Sequence, residues 1–450
     1  MKNIFWSVVA SGFLLNVGWL HAQKLSIPYQ QFKLKNGLNV ILHEDKTLPQ
    51  VSVNVWYHVG SGSEKVGRTG FAHLFEHILF EGSKNVPEGK FDQWLEATGG
   101  SNNGSTSNDR TNYYENLPSN ALELALFLES DRMGFLLETM SDSTVNGQRD
   151  VVKNERRQSY ENEPYGKAYL ELPVLLYPKG HPYSWSTIGS MEDLTAARHQ
   201  DVVDFFKTFY TTSNASLCIA GDIEYTKTRQ LVEKWFNDVP AGPAPSRVSV
   251  VPAKLTEQKI SVLEDDVQLP RLMMVWLTPA FFQPGDGELD ILASILTHGK
   301  NSRLYKRLVY DLQIAQDVQA FQSSQLLNSE FYISVDAKEG VTLSQIEKVI
   351  WEELDLIKKE GPASREIERA VNQLETTILN QLESTGDKAD LLNQFYYYTG
   401  NPDYINEHLQ RNKAIDGSDL TAIARKYLEK DACLIMSIVP KGKTALAVKH

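Results

Sequence analysis

Two imidazoles and a carboxylate fall within one helical turn in the run His73-Leu74-Phe75-Glu76-His77. Successive residues of an α-helix turn by about 100°, so His77 lies roughly 40° round from His73 and Glu76 roughly 60° the other way. All three side chains can face one cavity. Neutral imidazoles suit Zn²⁺. A carboxylate beside the ligands, instead of among them, has the place of a general base that takes a proton from water at the ion. Leu74, Phe75, Ile78, Leu79 and Phe80 fill the other faces and bury the helix. The alternative, histidines that fall at helical spacing without a role, arises on the order of once per hundred chains of this length.

A tetrahedral catalytic zinc takes three protein ligands, so another His, Cys or carboxylate has to come from elsewhere. The best candidate is Glu155, in the segment 146–157 (NGQRDVVKNERR), where charged and apolar residues are spaced as on a helix. The two cysteines, Cys218 and Cys433, fall one in each of two predicted strands and read as buried free thiols.

H-x-x-E-H followed by a distal glutamate in a V-V-x-x-E helix resembles the pitrilysin and insulysin family of metallopeptidases, which includes the mitochondrial processing peptidases. The resemblance implies that Glu155 is the third zinc ligand beside His73 and His77, with Glu76 as the base. Segment 60–72 (GSGSEKVGRTGFA) is similar to the family's glycine-rich approach to the zinc helix, and Phe80-Glu-Gly-Ser83 closes it similarly. Segment 99–114 (GGSNNGSTSNDRTNYY) resembles the family's G-G-x-x-N-A-x-T stretch, whose edge strand pairs with the bound peptide. That implies Asn103 and Gly104, with Ser105 beside them, as substrate-binding residues; main-chain pairing gives affinity and leaves sequence choice to pockets. Gly180-His-Pro-Tyr183 followed by Thr187-Ile-Gly189 matches a further landmark, with His181 structural. One departure stands out. The family carries a glutamate seven residues before the distal ligand, and this chain has Gln148 there, which can hydrogen-bond but adds no charge behind the metal.

A chain of 450 residues with 42% hydrophobic content exceeds a typical single domain. Tyr210–Ala220 and Tyr427–Ser437 share a helix-then-strand pattern, so each ends one copy of a repeated unit. The expected fold is α+β: two similar domains, each a mostly antiparallel sheet packed with helices. Residues 239–256, proline-rich from Val239 to Pro252, resist helix and central strand and form a linker between a zinc-bearing domain (23–238) and a silent repeat (257–450). Val51, Val53, Val55 and Tyr57 alternate with Ser52, Asn54, Trp56 and His58 as in a strand. Residues 272–277 and 331–335 read as strands, and 289–296 and 343–359 as amphipathic helices.

No H-x-x-E-H occurs in the second half. Segment 301–317 resembles a family stretch that carries an Arg and a Tyr seven residues apart, which hold substrate and the developing oxyanion. Here those positions fall on Val309 and Gln316, and neither can do that work. Tyr310 or Arg307 substitutes only if the register shifts; the other reading is a plain structural helix. The resemblance therefore implies a clamshell completed by a second homologous subunit that supplies the pair, or a homodimer.

Lys2, the largely apolar run 4–20 and the small residue Ala22 read as a signal peptide, residues 1–22, and hence a periplasmic location; an uncleaved anchor is the alternative. A formal net charge of −12 speaks against nucleic-acid binding, and no stable membrane insertion is expected. The function that follows is a zinc-dependent endopeptidase acting on unfolded polypeptides or short peptides. The competing reading is a zinc-binding but inactive scaffold subunit.

Overall fold

The computed structural model describes residues 25–449, so residues 1–22, read above as a signal peptide, lie outside the described residues. The alternating run at 51–57 forms a strand, β3 (Gln50–Tyr57), in a six-stranded sheet. The other strands of this first sheet are β1 (Gln30–Lys33), β2 (Asn39–Glu44), β4 (Ser101–Thr106), β5 (Thr111–Pro118) and β6 (Ala215–Gly221). The helices of this half are α1 (Phe71–Ile78), α2 (Lys90–Ala97), α3 (Leu122–Phe135), α4 (Asp142–Arg156), α5 (Gly166–Leu176), α6 (Met191–Ala196), α7 (His199–Phe209) and α8 (Tyr225–Phe236). Residues 239–258 form no helix or strand.

The second sheet holds β7 (Lys259–Asp265), β8 (Arg271–Thr278), β9 (Ala315–Ser323), β10 (Ser329–Ala337) and β11 (Cys433–Pro440). Its helices are α9 (Asp286–Thr297), α10 (Leu343–Glu360), α11 (Ser364–Gln381), α12 (Thr385–Thr399), α13 (Ile405–Ala414) and α14 (Gly417–Tyr427). The sheet orders are β1-β2-β6-β3-β5-β4 and β7-β11-β8-β10-β9. Without β1 they correspond strand for strand. In each sheet one pair is parallel, β2 with β6 and β7 with β11, and the rest are antiparallel. The α+β repeat is therefore present, and α7 into β6 and α14 into β11 are its matching ends. Cys218 and Cys433 are buried free thiols.

The two halves exchange a helix. Ala168, Leu172 and Leu176 of α5 pack against Met273, Val275, Leu434 and Met436 of the second sheet. Ala389, Leu392 and Phe395 of α12 pack against Ile41, Cys218 and Ala220 of the first. Polar contacts seal this face: Asp390 Oδ1 accepts from Asn54 Nδ2 at 3.1 Å and Trp56 Nε1 at 2.9 Å, and Asn393 Nδ2 donates to the Asn54 carbonyl at 3.0 Å. β3 is buried on both faces as a result.

Segment 301–317 is not one plain helix. Tyr305–Asp311 form a π-helical turn and β9 begins at Ala315. Gln313 takes a left-handed backbone (φ 54°), which ends the helical run between them. Val309 is packed against the second core and Gln316 is exposed on β9. Arg307 is ion-paired with Glu352 and Glu353, and Tyr310 is exposed. No helix among the described residues is long and apolar enough to cross a membrane.

Candidate metal centre

Helix α1 forms because Phe71, Ala72, Leu74, Phe75 and Ile78 are buried on it, leaving one polar stripe. Its amino end is held from behind by Glu64. One carboxylate oxygen accepts from the Gly70 amide at 3.0 Å and the other from Ala72 at 2.8 Å, satisfying donors the first turn leaves free. Burial pushes the Glu64 carboxyl up to about 8, against the pull of those amides and of Trp185. Gly70 is left-handed (φ 87°), and a Cβ there would stand 2.8 Å from the Ile188 carbonyl oxygen and 3.0 Å from the Gly189 Cα. The Gly189 carbonyl also accepts from Arg156 Nη1 at 2.7 Å. The Thr187-Ile-Gly189 stretch is thus the seat that joins the start of α1 to the end of α4.

Ser141 caps α4, its hydroxyl accepting from the Thr144 amide at 3.2 Å. Val145 and Val152 are the buried side of α4. One turn on from Val152, Glu155 meets α1. Its Oε2 lies 3.2 Å from His77 Nε2 and 3.6 Å from His73 Nε2, and the three ligand atoms lie within 4.8 Å of one another. Tetrahedral bonds of about 2.0–2.1 Å place ligand atoms roughly 3.4 Å apart, so this donor set fits zinc. Against that fit, His73 Nδ1 is buried without a hydrogen-bond partner, where a metal-bound imidazole ordinarily donates from its outer nitrogen. Burial lowers His73 to about 4, opposed by Glu155, which keeps the ring neutral and able to bind a cation. The hydrogen-bonded imidazole of His77 draws the Glu155 carboxyl below its usual range.

Glu76 stands beside the cluster. Burial raises its carboxyl above the usual range, and the Thr106 hydroxyl, which donates to Glu76 Oε2 at 2.5 Å, pulls it back. A basic, half-desolvated carboxylate held in one orientation is what general-base work requires. A Cβ on Gly104 would stand 3.0 Å from Glu76 Cγ, so β4 approaches the base as closely as it does because a glycine is there.

β4 is the free edge of the first sheet. The Ser107 amide bonds the Arg110 carbonyl at 2.8 Å and closes the β4–β5 hairpin. From there the ladder alternates, so Asn102, Gly104 and Thr106 turn their main-chain groups to the free edge. The Gly104 amide is covered at 2.8 Å by the Asn103 side-chain oxygen. Ser105 lies on the opposite face from Glu76, its hydroxyl donating to Asn112 at 2.7 Å. Gln148 reaches no ligand: its Nε2 donates to Glu81 Oε1 at 2.5 Å. His181 is buried and stacked on Tyr177, away from the cluster.

Sequence reasoning missed Glu64, Glu81 and Thr106. Thr106 is the threonine that closes the G-G-x-x-N-A-x-T pattern; nothing local signals the roles of Glu64 and Glu81.

Residues 39–172 match the family model described as insulinase (peptidase family M16), and residues 196–374 match the one described as peptidase M16 inactive domain. The chain is 30% identical over 422 residues to the zinc protease PqqE of Helicobacter pylori, covering 91% of this chain and 92% of that protein. It is 23% identical over 434 residues to a probable mitochondrial-processing peptidase subunit beta of Arabidopsis thaliana, covering 93% and 80%. A crystal structure of a protease from Helicobacter pylori superposes with a TM-score of 0.85 at 26% identity, covering 92% of this chain and all of that one.

Proposed function

The chain belongs to the insulinase family of peptidases, family M16, and on that premise we propose that it is a zinc-dependent endopeptidase of unfolded polypeptides and short peptides. The observation that carries this reading is the convergence of His73, His77 and Glu155 beside Glu76. The first three would hold the ion. Bound zinc supplies Lewis acidity toward the scissile carbonyl. Glu76 takes a proton from the attacking water and passes it to the leaving amine, and Thr106 keeps its carboxylate aimed. The free edge of β4 binds the peptide as an added strand, with Gly104 giving its main chain and Asn103 moving aside.

Among the described residues the cluster is drawn from the first half alone. Val309 is packed against the second core, Gln316 offers only a neutral amide on an exposed position of β9, and Arg307 is engaged by two glutamates. This supports a partner: a second homologous subunit bringing an Arg/Tyr pair, or a second copy of the chain. A periplasmic location belongs to the same proposal. The competing scaffold role draws on the same gap. Zinc content and cleavage of an unstructured quenched peptide, by the chain alone and with a co-purifying partner, separate the two readings. Glu76→Gln is the control. Stoichiometric zinc with no cleavage in either sample would establish the scaffold.

A further inference from the structure

A peptide added to the edge of β4 would alternate its side chains between the two faces of the sheet. One face is that of Glu76, where Gly104 and Thr106 lie. The other is that of Ser105, Asn112 and Asp390. At the hairpin end of this second face is a cavity of about 440 Å³, walled by Trp56, Tyr160, Tyr169, Trp185 and Tyr398 and by Arg110. Tyr160 belongs to the π-helical turn Arg157–Glu161 that continues α4 past Glu155, so the cavity adjoins the metal helix.

Hydrogen-bond accounting in this wall leaves one strong donor unspent. Asp109 accepts from the hydroxyls of Tyr183 and Tyr398 and from the Leu326 amide. Glu330 accepts from Tyr177 and Tyr332, and Asp390 from Asn54, Trp56 and Asn112. Every one of these donors is neutral. Arg110 spends only Nη1, on the Ser105 carbonyl at 2.9 Å and hydroxyl at 2.6 Å, and its guanidinium lies 5.2 Å from the Trp56 ring centroid. Among the described residues no ion pair occupies it, so Nε and Nη2 remain free for a planar carboxylate.

We infer that Arg110 selects peptides carrying an acidic side chain next to the cleaved bond, on the face opposite Glu76. This rests on the peptidase reading above and adds the substrate class.

The test uses quenched peptides that differ at single positions flanking the cleaved bond, with Glu, Gln or Lys there and the bond mapped by mass spectrometry. The charge-assisted contact predicts kcat/KM about 10–100-fold higher for Glu than for Gln at one of these positions. Arg110→Gln brings that ratio to about one, Arg110→Lys keeps part of it, and Arg110→Glu moves the preference to Lys, a gain that misfolding cannot produce. Binding of the same peptides to the zinc-loaded Glu76→Gln protein, read by fluorescence anisotropy, follows the same order. A Glu-to-Gln ratio equal in wild type and Arg110→Gln overturns the inference while leaving the peptidase standing. No cleavage by the wild type, alone or with the co-purifying partner, together with Arg110-dependent binding of the Glu peptide, overturns the peptidase reading and leaves the site.

Discussion

Counted from their left-handed glycine caps, Gly70 and Gly285, α1 carries His73, Glu76 and His77 at its third, sixth and seventh positions, and α9 carries Glu288, Ile291 and Leu292. Both helices follow the strand equivalent to the other's and precede the equivalent edge strand. Ile291 and Leu292 are buried in the second core, while the corresponding polar side chains of α1 are partly open. The scaffold therefore does not need the polar stripe. In α9 those positions stabilise the domain by burial, and in α1 the same positions forgo that burial and hold a cluster suited to a cation.

The largest effect expected from breaking this difference is chemical. Glu76→Gln should lower kcat by about 10²–10⁴-fold at unchanged zinc content, because it removes the base and leaves the three ligands. Steady-state kinetics beside metal analysis checks this. His77→Leu, which writes the α9 residue into α1, should abolish stoichiometric zinc, while the melting temperature of the metal-free protein does not fall. A lower value there would show that the imidazole is structural.

The exchanged helices sharpen the comparison from the other side. Residues 23–238 and 257–450 expressed apart should each lack cooperative unfolding, and co-expression should restore it, since each sheet is covered by a helix of the other half. Circular dichroism melts decide it.

Smaller effects follow at single hydrogen bonds and protons. Thr106→Val should lower kcat about 3–10-fold with KM little changed, and Thr106→Ser should recover it. His58 is half-buried against Tyr397 of α12, and desolvation, with Arg247 adding to it, pushes its pKa to about 3. The unfolded chain then takes up a proton near pH 6.5 that the folded protein refuses. Stability is thus level above that pH and falls on acidification by about 1.4 kcal/mol per pH unit for this residue. Denaturant melts of His58→Gln between pH 7 and 5 should show a shallower loss than wild type.

The shared face of His73, Glu76 and His77 was legible because their spacing is local, one turn of α1; Glu155, 78 residues further on, was picked out through the family resemblance of its V-V-x-x-E helix, and the fold brings it beside the two imidazoles. The α+β repeat was legible from matching helix-to-strand ends. What escaped was long-range. Ser52, Asn54, Trp56 and His58 have the pattern of an exposed strand face, yet α12 covers that face from more than three hundred residues away, with Asp390 and Asn393 as polar partners of Asn54 and Trp56. Thr106 and Glu76 are thirty residues apart and meet only because β4 returns beside α1. Segment 301–317 read as a helix because its side chains are helical in type; the left-handed backbone at Gln313 was not visible in composition.

The helix exchange also sets an order of events during synthesis. The last strand of the first sheet ends at Gly221, but the helix that closes its polar face starts at Thr385. At about 5–20 residues per second the intervening chain takes roughly 8–33 seconds to make. Through that interval the nascent first half carries an uncovered face, although the residues of its main core, Leu34 to Val239, are already made or nearly so. A chain whose face stays open until nearly finished is one that a chaperone can still engage, and an insertion in the connector 239–258, which forms no helix or strand, should lengthen that window.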